Sequence, residues 1–286
     1  MGTYKIGRLT LGFDGYMDRL TEERMKPYEY TTDKPDVSVT CSMCDTTFPC
    51  GDAEATYGIG DEYWEMADGH TYGYLFPDDG GNFAVKVDFY NNGASVDVYL
   101  YNIGEHMDIV TEHYLFNTLS FMFNHLVLYH GMMILHSSSI MCNGSGVAFS
   151  ANSGVGKSTH TGLWMENIPE CEYINDDTPL LCIDGDHVYI SGTPFAGSTG
   201  INTNVSVPLK AIVFIKRGET NSINRLDSQT ALGLIMGQSV EPWERAIFDK
   251  LLDIISGVLE RTPVYELYCN ISEEAPKVAY DGIFNN

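Results

Sequence analysis

The chain has 286 residues, 39 of them acidic against 16 basic, for a formal net charge of −23 with histidine neutral. So large an anionic excess repels nucleic acid and anionic membranes and argues against both as partners, while a peptide or protein of basic character would be attracted. Hydrophobic residues make up 44% and aromatic residues 12%, enough for a packed core in one large domain or two smaller ones.

No charged-then-apolar leader opens the sequence, and no apolar run reaches the roughly 18 residues a membrane span needs. The most hydrophobic stretch, residues 114–129, is interrupted by Asn117, Thr118, Ser120, Asn124 and His125 and reads as a buried helix. Seven cysteines, an odd number, lead to the expectation of free thiols and a cytoplasmic location.

Residues 1–110 are expected to form a β-rich domain that serves substrate or partner recognition. Residues 4–11, 82–90 and 94–100 alternate apolar and polar side chains, as half-buried strands do. Turn pairs Asp79-Gly80 and Asn92-Gly93 stand between them, and the second is a strong hairpin signal. Cys41-Ser42-Met43-Cys44 with Cys50 and the more distant His70 offers only one CxxC, too little for a closed zinc site, and reads as free thiols.

Residues 111–286 change character. A helix from about 113 to 129 leads to a strand at 132–141, and Asn143-Gly144 turns the chain back into a strand at 147–150. A loop and a helix to about Glu166 follow, then strands at 172–174, 180–183, 188–190 and 209–216. A long helix is predicted from about Glu241 to Glu260, with Ser239 as its cap and Pro242 in its first turn. Its apolar residues Trp243, Ile247, Leu251, Ile254, Ile255 and Val258 recur at helical spacing and mark a core face. Ser272, Glu273 and Glu274 open a last helix, with acidic residues where the helix dipole favours them.

The chemistry concentrates in this second part. Ala151-Asn152-Ser153-Gly154-Val155-Gly156-Lys157-Ser158 fits the phosphate-loop pattern, with an apolar strand before it and a helix after it. Glycines let successive N–H groups turn toward phosphate oxygens, and the helix adds its positive end. Lys157 would reach the β- and γ-phosphates, and the Ser158 hydroxyl would ligate Mg2+. Asn175-Asp176-Asp177 lies 19 residues beyond Lys157, room for one helix and a return strand. One of its carboxylates suits Mg2+ and the other suits the proton of an attacking hydroxyl. His136 closes the strand before Ser137, and the following hairpin could bring it to the loop to orient a carboxylate or substrate.

Together, His136, the run Ser153-Gly154-Val155-Gly156-Lys157-Ser158-Thr159-His160 and Asn175-Asp176-Asp177 resemble the catalytic domain of HPr kinase/phosphorylase. They are more similar still to its HPr-kinase-like or phosphoenolpyruvate-carboxykinase-like relatives. The likeness spans about residues 110–286 and includes Gly192-Thr193-Pro194, Val207-Pro208-Leu209-Lys210 and Cys269-Asn270.

The resemblance implies an α/β fold of the α+β type, with a phosphate loop on a mixed, largely antiparallel sheet. It implies ATP and Mg2+ as cofactors, with Ser153, Gly154, Val155, Gly156, Lys157, Ser158 and Thr159 binding the nucleotide. Ser158 and Asp176 would serve the metal, Asp177 would act as base and His136 as its partner. The expected activity is a serine-type kinase acting on a peptide or small protein, in a family whose members are often homo-oligomers.

Two basic family positions are neutral here, Thr178 after the carboxylates and Ser198 in Pro194-Phe195-Ala196-Gly197-Ser198. Lys210, Lys216, Arg217, Arg225 and Arg245 are the candidate substitutes. The glycine-rich region with a glutamate that follows the carboxylates in the family has no clear match. A nucleotide-binding regulator or scaffold without turnover and a small-molecule kinase are the alternatives. Phosphoenolpyruvate carboxykinase chemistry needs further cations and belongs to much longer chains.

Overall fold

A computed structural model describes residues 2–49, 57–59, 62–78, 80–102, 111–242 and 244–285. Its contacts divide the chain into two units, Met1–His130 and Gly131–Asn286.

In the first unit the order is β1 (Gly2–Ile6), β2 (Leu9–Gly15), α1 (Arg19–Met25), β3 (Val37–Cys44) and a short β4 (Phe48–Pro49). Then come β5 (Tyr57–Ile59), β6 (Glu62–Ala67), β7 (His70–Pro77), β8 (Asn82–Tyr90), β9 (Ser95–Tyr101) and α2 (Thr111–Tyr129). Among the described residues the strands form one sheet ordered β1-β2-β3-β9-β8-β7-β6-β5, with β4 on β8. The β2/β3 and β3/β9 pairs are parallel and the others antiparallel.

Alternation sorts the two faces. Val85, Val87 and Phe89 on β8 are buried with Val96, Val98 and Leu100 on β9, while Lys86, Asp97 and Tyr99 between them lie partly exposed on the other face and Asp88, on that same face, is buried. The apolar alternation of residues 4–11 covers two strands rather than one, because Gly7 and Arg8 form a turn between β1 and β2. At the Asn92-Gly93 reversal, Asn91, Asn92 and Gly93 all take positive φ.

The helix expected to open the second part belongs to the first unit. Tyr114 Oη donates to the Ala84 carbonyl at 2.7 Å, and Phe121 and His125 pack on Trp64 at 5.3 and 4.4 Å. The boundary at residue 110 therefore moves to residue 130. Of the sulfur grouping, Cys41 is buried, its thiol pushed up to about 12 by burial, while Cys44 is only partly buried. Cys50, like Asp79 of the first turn pair, lies outside the described residues. No group of three metal-ligating side chains occurs among the described residues.

The second unit runs β10 (Met132–Ile134), β11 (Ser138–Cys142), β12 (Ser145–Ser150), α3 (Lys157–Asn167), β13 (Cys171–Asn175), β14 (Leu180–Asp184) and β15 (His187–Ser191). It continues with β16 (Ser206–Arg217), β17 (Ser222–Arg225), α4 (Ser228–Met236), α5 (Arg245–Arg261), β18 (Val264–Cys269) and α6 (Glu274–Phe284). The sheet order is β10-β14-β15-β16-β12-β11-β13, with β18 pairing both β16 and β17. Only β12/β16 and β16/β18 pair in parallel among the described residues, so the sheet is mixed.

Phe149, Trp164, Val213, Leu267 and Ala279 anchor one core, where β12, α3, β16, β18 and α6 meet. Trp164 is fully buried, 5.3 Å from the Phe149 ring and 6.0 Å from Tyr280. Among the described residues no helix is long and apolar enough to cross a membrane.

Several expectations are corrected here. Residues 132–141 form two strands, not one: β10 sits at one edge of the sheet and β11 near the other, so residues 135–137 cross between them. The predicted start at Glu241 is replaced by α5 beginning at Arg245, because Ser239 Oγ donates to the Ile235 carbonyl and finishes α4 instead. Trp243 lies outside the described residues, while Ile247, Leu251, Ile254, Ile255 and Val258 are buried as the spacing requires. Ser272 contributes its carbonyl to the Ala275 N–H, and α6 starts at Glu274. Cys142 and Cys171 are disulfide-bonded rather than free. They are register partners on the antiparallel β11 and β13, which brings their Cα atoms to 4.4 Å.

Candidate functional site

β12 is buried along Val147, Ala148 and Phe149, and it delivers the chain to a turn at Ala151 before α3 begins at Lys157. Gly154 and Gly156 hold φ of 75° and 122°, values that side chains with a Cβ rarely adopt. The Val155 N–H closes a turn on the Asn152 carbonyl at 3.2 Å, and the His160 N–H starts the helix on the Gly156 carbonyl at 2.9 Å. No side chain caps the helix at Gly156. From the end of β16, Arg217 donates through Nη2 to the Gly154 carbonyl at 2.6 Å and through Nε to the Val155 carbonyl at 3.3 Å. Peptide C=O and N–H groups point opposite ways, so holding these carbonyls fixes the direction of the N–H groups that follow them.

The carboxylate pair is set by its neighbour. Asn175, fully buried at the end of β13, accepts the Asp177 and Thr178 N–H groups at 2.9 and 2.7 Å and donates to the Thr193 carbonyl at 2.9 Å. This Asx-type turn aims the two acids in different directions. Asp176 is buried and accepts from Ser138 Oγ at 2.5 Å, and Ser138 lies 2.9 Å from Thr161 Oγ1 on the first turns of α3.

Asp177 is half-exposed and lies 3.2 Å from His136 Nδ1. His136 Nε2 in turn meets Lys157 Nζ at 2.8 Å, and Lys157 Nζ also donates to the Ala151 carbonyl at 3.2 Å. An ammonium has only protons to give, so Nε2 accepts and the hydrogen sits on Nδ1, facing Asp177. Burial pushes the Lys157 ammonium below the ordinary lysine range, and Asp177 and Asp176 oppose that shift.

The crossing segment places His136. Its N–H donates to the Gln238 carbonyl at 2.8 Å, and the Ser137 N–H donates to the Asp177 carbonyl at 3.0 Å. Gly197 approaches from the other side, where a Cβ would stand 3.1 Å from the Asp177 carboxyl carbon. Two cavities flank the loop. One, of about 490 Å³, is lined by Val155, Leu163, Ile215, Arg217, Asn270 and Ile271 among others. The second, of about 400 Å³, is bounded by Asn152, Ser153, Phe214, Lys216, Leu234 and Gln238.

The predicted residues thus fall into two groups. His136, Lys157 and Asp177 form one hydrogen-bonded chain, and Asp176 joins α3 through Ser138 and Thr161. Ser153, Ser158 and Thr159 are exposed on the loop and the first turn of α3. Among the candidate cations only Arg217 bonds to the loop. Lys216 pairs with Glu266, Arg245 pairs with Asp249 at 2.9 Å, and Lys210 and Arg225 are exposed on β16 and β17. Thr178 is buried, its hydroxyl bonded to the Phe195 carbonyl, and Ser198 is exposed.

Sequence reasoning missed Ser138, Thr161 and Gln238. Thr161 stands four residues after Lys157, a helical spacing that carried the signal, whereas nothing in the sequence distinguishes Ser138 from its neighbours Ser137 and Ser139.

The chain matches no protein-family model and no curated protein sequence. Among solved structures it is similar to the Hpr(Ser) kinase/phosphatase from Coxiella burnetii, at 12% identity and a TM-score of 0.31. The match covers 52% of this chain and 95% of that one, and similarity of that size fixes neither fold nor activity.

Proposed function

We propose that the Gly131–Asn286 unit binds ATP with Mg2+ at residues 151–158 and transfers the γ-phosphoryl group to a hydroxyl, of serine type, on a peptide or small protein. The observation that carries this reading is the chain from Asp177 through His136 to Lys157, which ties a candidate base to the cation at the start of α3. An incoming triphosphate offers Lys157 charged oxygens in place of a neutral imidazole, a stronger partner. The N–H groups around Gly154 and Gly156, held by Arg217 from behind, would take phosphate oxygens.

Asp177 would accept the proton of the attacking hydroxyl as its oxygen bonds to the γ-phosphorus and the bond to the β-bridging oxygen breaks, releasing ADP. His136 Nδ1–H would hold the carboxylate in line. Ser158 and Asp176 suit Mg2+, because this ion takes oxygen ligands, keeps several waters and needs only one or two protein groups beside the phosphates. Bound there, Mg2+ would supply charge neutralisation to the triphosphate.

A second reading, a nucleotide-binding regulator without turnover, is supported by the buried, hydrogen-bonded Thr178 hydroxyl at a position where the resembling family carries a cation. Incubating the purified chain with ATP, Mg2+ and seryl peptides separates the two. The kinase reading expects transfer that disappears in Asp177→Asn. ATP binding with no turnover by any acceptor gives the regulator, and absence of binding removes both.

A further inference from the structure

The outward face of the first unit's sheet carries a charge pattern that strand pairing alone disfavours. Reading across the strands in register, Glu65 faces Tyr72, Tyr72 faces Asp88, Asp88 faces Asp97, Asp97 faces Thr40, and Thr40 faces Asp14. Four carboxylates therefore share one row across β6, β7, β8, β9, β3 and β2. Asp88 and Asp97 stand directly opposite each other, and like charges in that position destabilise a sheet.

The flanks of the row are aromatic. Tyr74, Lys86 and Tyr99 are in register on one side. On the other, the His70 ring lies nearly parallel to Tyr72 at 5.7 Å and to Tyr90 at 5.1 Å, with Nδ1 2.8 Å from Asp88. Lys86 Nζ sits 4.0 Å from the centre of the Tyr72 ring, so the face already holds one ammonium over an aromatic surface beside the acids. Glu65, Tyr72, Tyr90, Asp97 and Tyr99 are partly exposed and Thr40 and Asp14 exposed, whereas Asp88 is buried against His70.

We propose that this face binds an extended, lysine- and arginine-rich polypeptide segment laid across the strands. The Glu65, Asp97 and Asp14 carboxylates receive its cationic heads, and the Tyr72, Tyr90 and Tyr99 rings cover its side-chain stems. Dimensions agree. Five strand intervals of about 4.8 Å span about 24 Å, the length of about seven extended residues at ~3.4 Å each. Alternate side chains of such a segment point the same way, so about four of them cross the row, and three meet Glu65, Asp97 and Asp14 while Asp88 stays buried and bonded to His70. The net charge of −23 steers a basic chain toward the surface from a distance. The inference is independent of the nucleotide reading, which concerns the other unit.

The test must separate this row from diffuse attraction to an acidic protein. A fluorescein-labelled seven-residue peptide with arginine at alternate positions is titrated into the full chain by anisotropy. The face pair Glu65→Gln with Asp97→Asn should weaken binding by more than about tenfold, whereas the charge-matched pair Glu22→Gln with Asp33→Asn should change it by less than about twofold. Asp97→Asn also relieves the opposed carboxylates, so the folded protein should hold or gain thermal stability and the loss of binding cannot come from unfolding. Equal losses from both pairs mean diffuse attraction and overturn the proposal. No binding, or spermine displacing the peptide at equal charge concentration, overturns it too.

Discussion

The two units place their charges in opposite ways. On the first, Glu65, Asp88, Asp97 and Asp14 are spread along a regular lattice whose spacing is set by strand register. In the second, Asp176, Asp177, His136 and Lys157 converge where regular structure stops: after β13, in the crossing between β10 and β11, and at the start of α3. A continuous sheet face holds side chains in rows several ångströms apart, which suits a long partner. Interrupted strands let side chains from distant segments meet within hydrogen-bond distance, which chemistry at a single atom requires.

The comparison breaks most visibly at Asp177. Asp177→Asn should lower phosphoryl transfer by about 10²–10⁴-fold while leaving ATP affinity within about threefold and the first unit's peptide binding unchanged. Kinetics beside direct binding check this, and a parallel loss of affinity would mean that Asp177 is structural. Trp164→Ala should cost about 3–5 kcal/mol in urea unfolding, because the indole fills the core between Phe149 and Tyr280.

Acid should act on both units. Burial holds His125 down to about 3 and His160 to about 4, against an ordinary value of about 6.5. Depressed values mean that their stability contribution is complete above about pH 6.5 and is lost as pH falls toward 4 for His160 and toward 3 for His125. Each should remove about 2 kcal/mol between pH 7 and 5. His160 Nε2 accepts from Trp164 Nε1 at 3.0 Å, so His160→Gln, which keeps an acceptor, should flatten the pH slope of the second unit alone. The smallest effect is expected from Asp227→Ala. Asp227 caps α4 through the Gln229 and Thr230 N–H groups, and its loss should cost about 1 kcal/mol by the same unfolding measurement.

The second unit's candidate site was legible where its residues are contiguous. The glycine-spaced run before Lys157 and the Asn175-Asp176-Asp177 triplet stand out, because tight backbone turns need particular residues at fixed spacing. Ser138 and Gln238 stayed hidden, since each reaches the site from a segment far away in sequence. The break that positions His136 was also invisible: residues 132–141 are apolar enough for one strand, and only the sheet order forces a crossing at 135–137.

Similarly, the acidic row of the first unit has no sequence signature, because its members come from separate strands and meet through register alone. The Cys142–Cys171 disulfide escaped a count of odd cysteines for the same reason. Helix α2 was found but assigned to the wrong unit, since an apolar helix with strands both before and after it in the sequence carries no label for the sheet it covers.

The most direct test of the central claim is calorimetric binding of ATP with Mg2+ to the wild-type chain and to Lys157→Ala. The account predicts a single site on the wild type that is weakened by more than about tenfold in the variant, with both proteins unfolding in the same urea range. Wild-type protein that binds no nucleotide, or a variant that binds it equally well, would contradict the account.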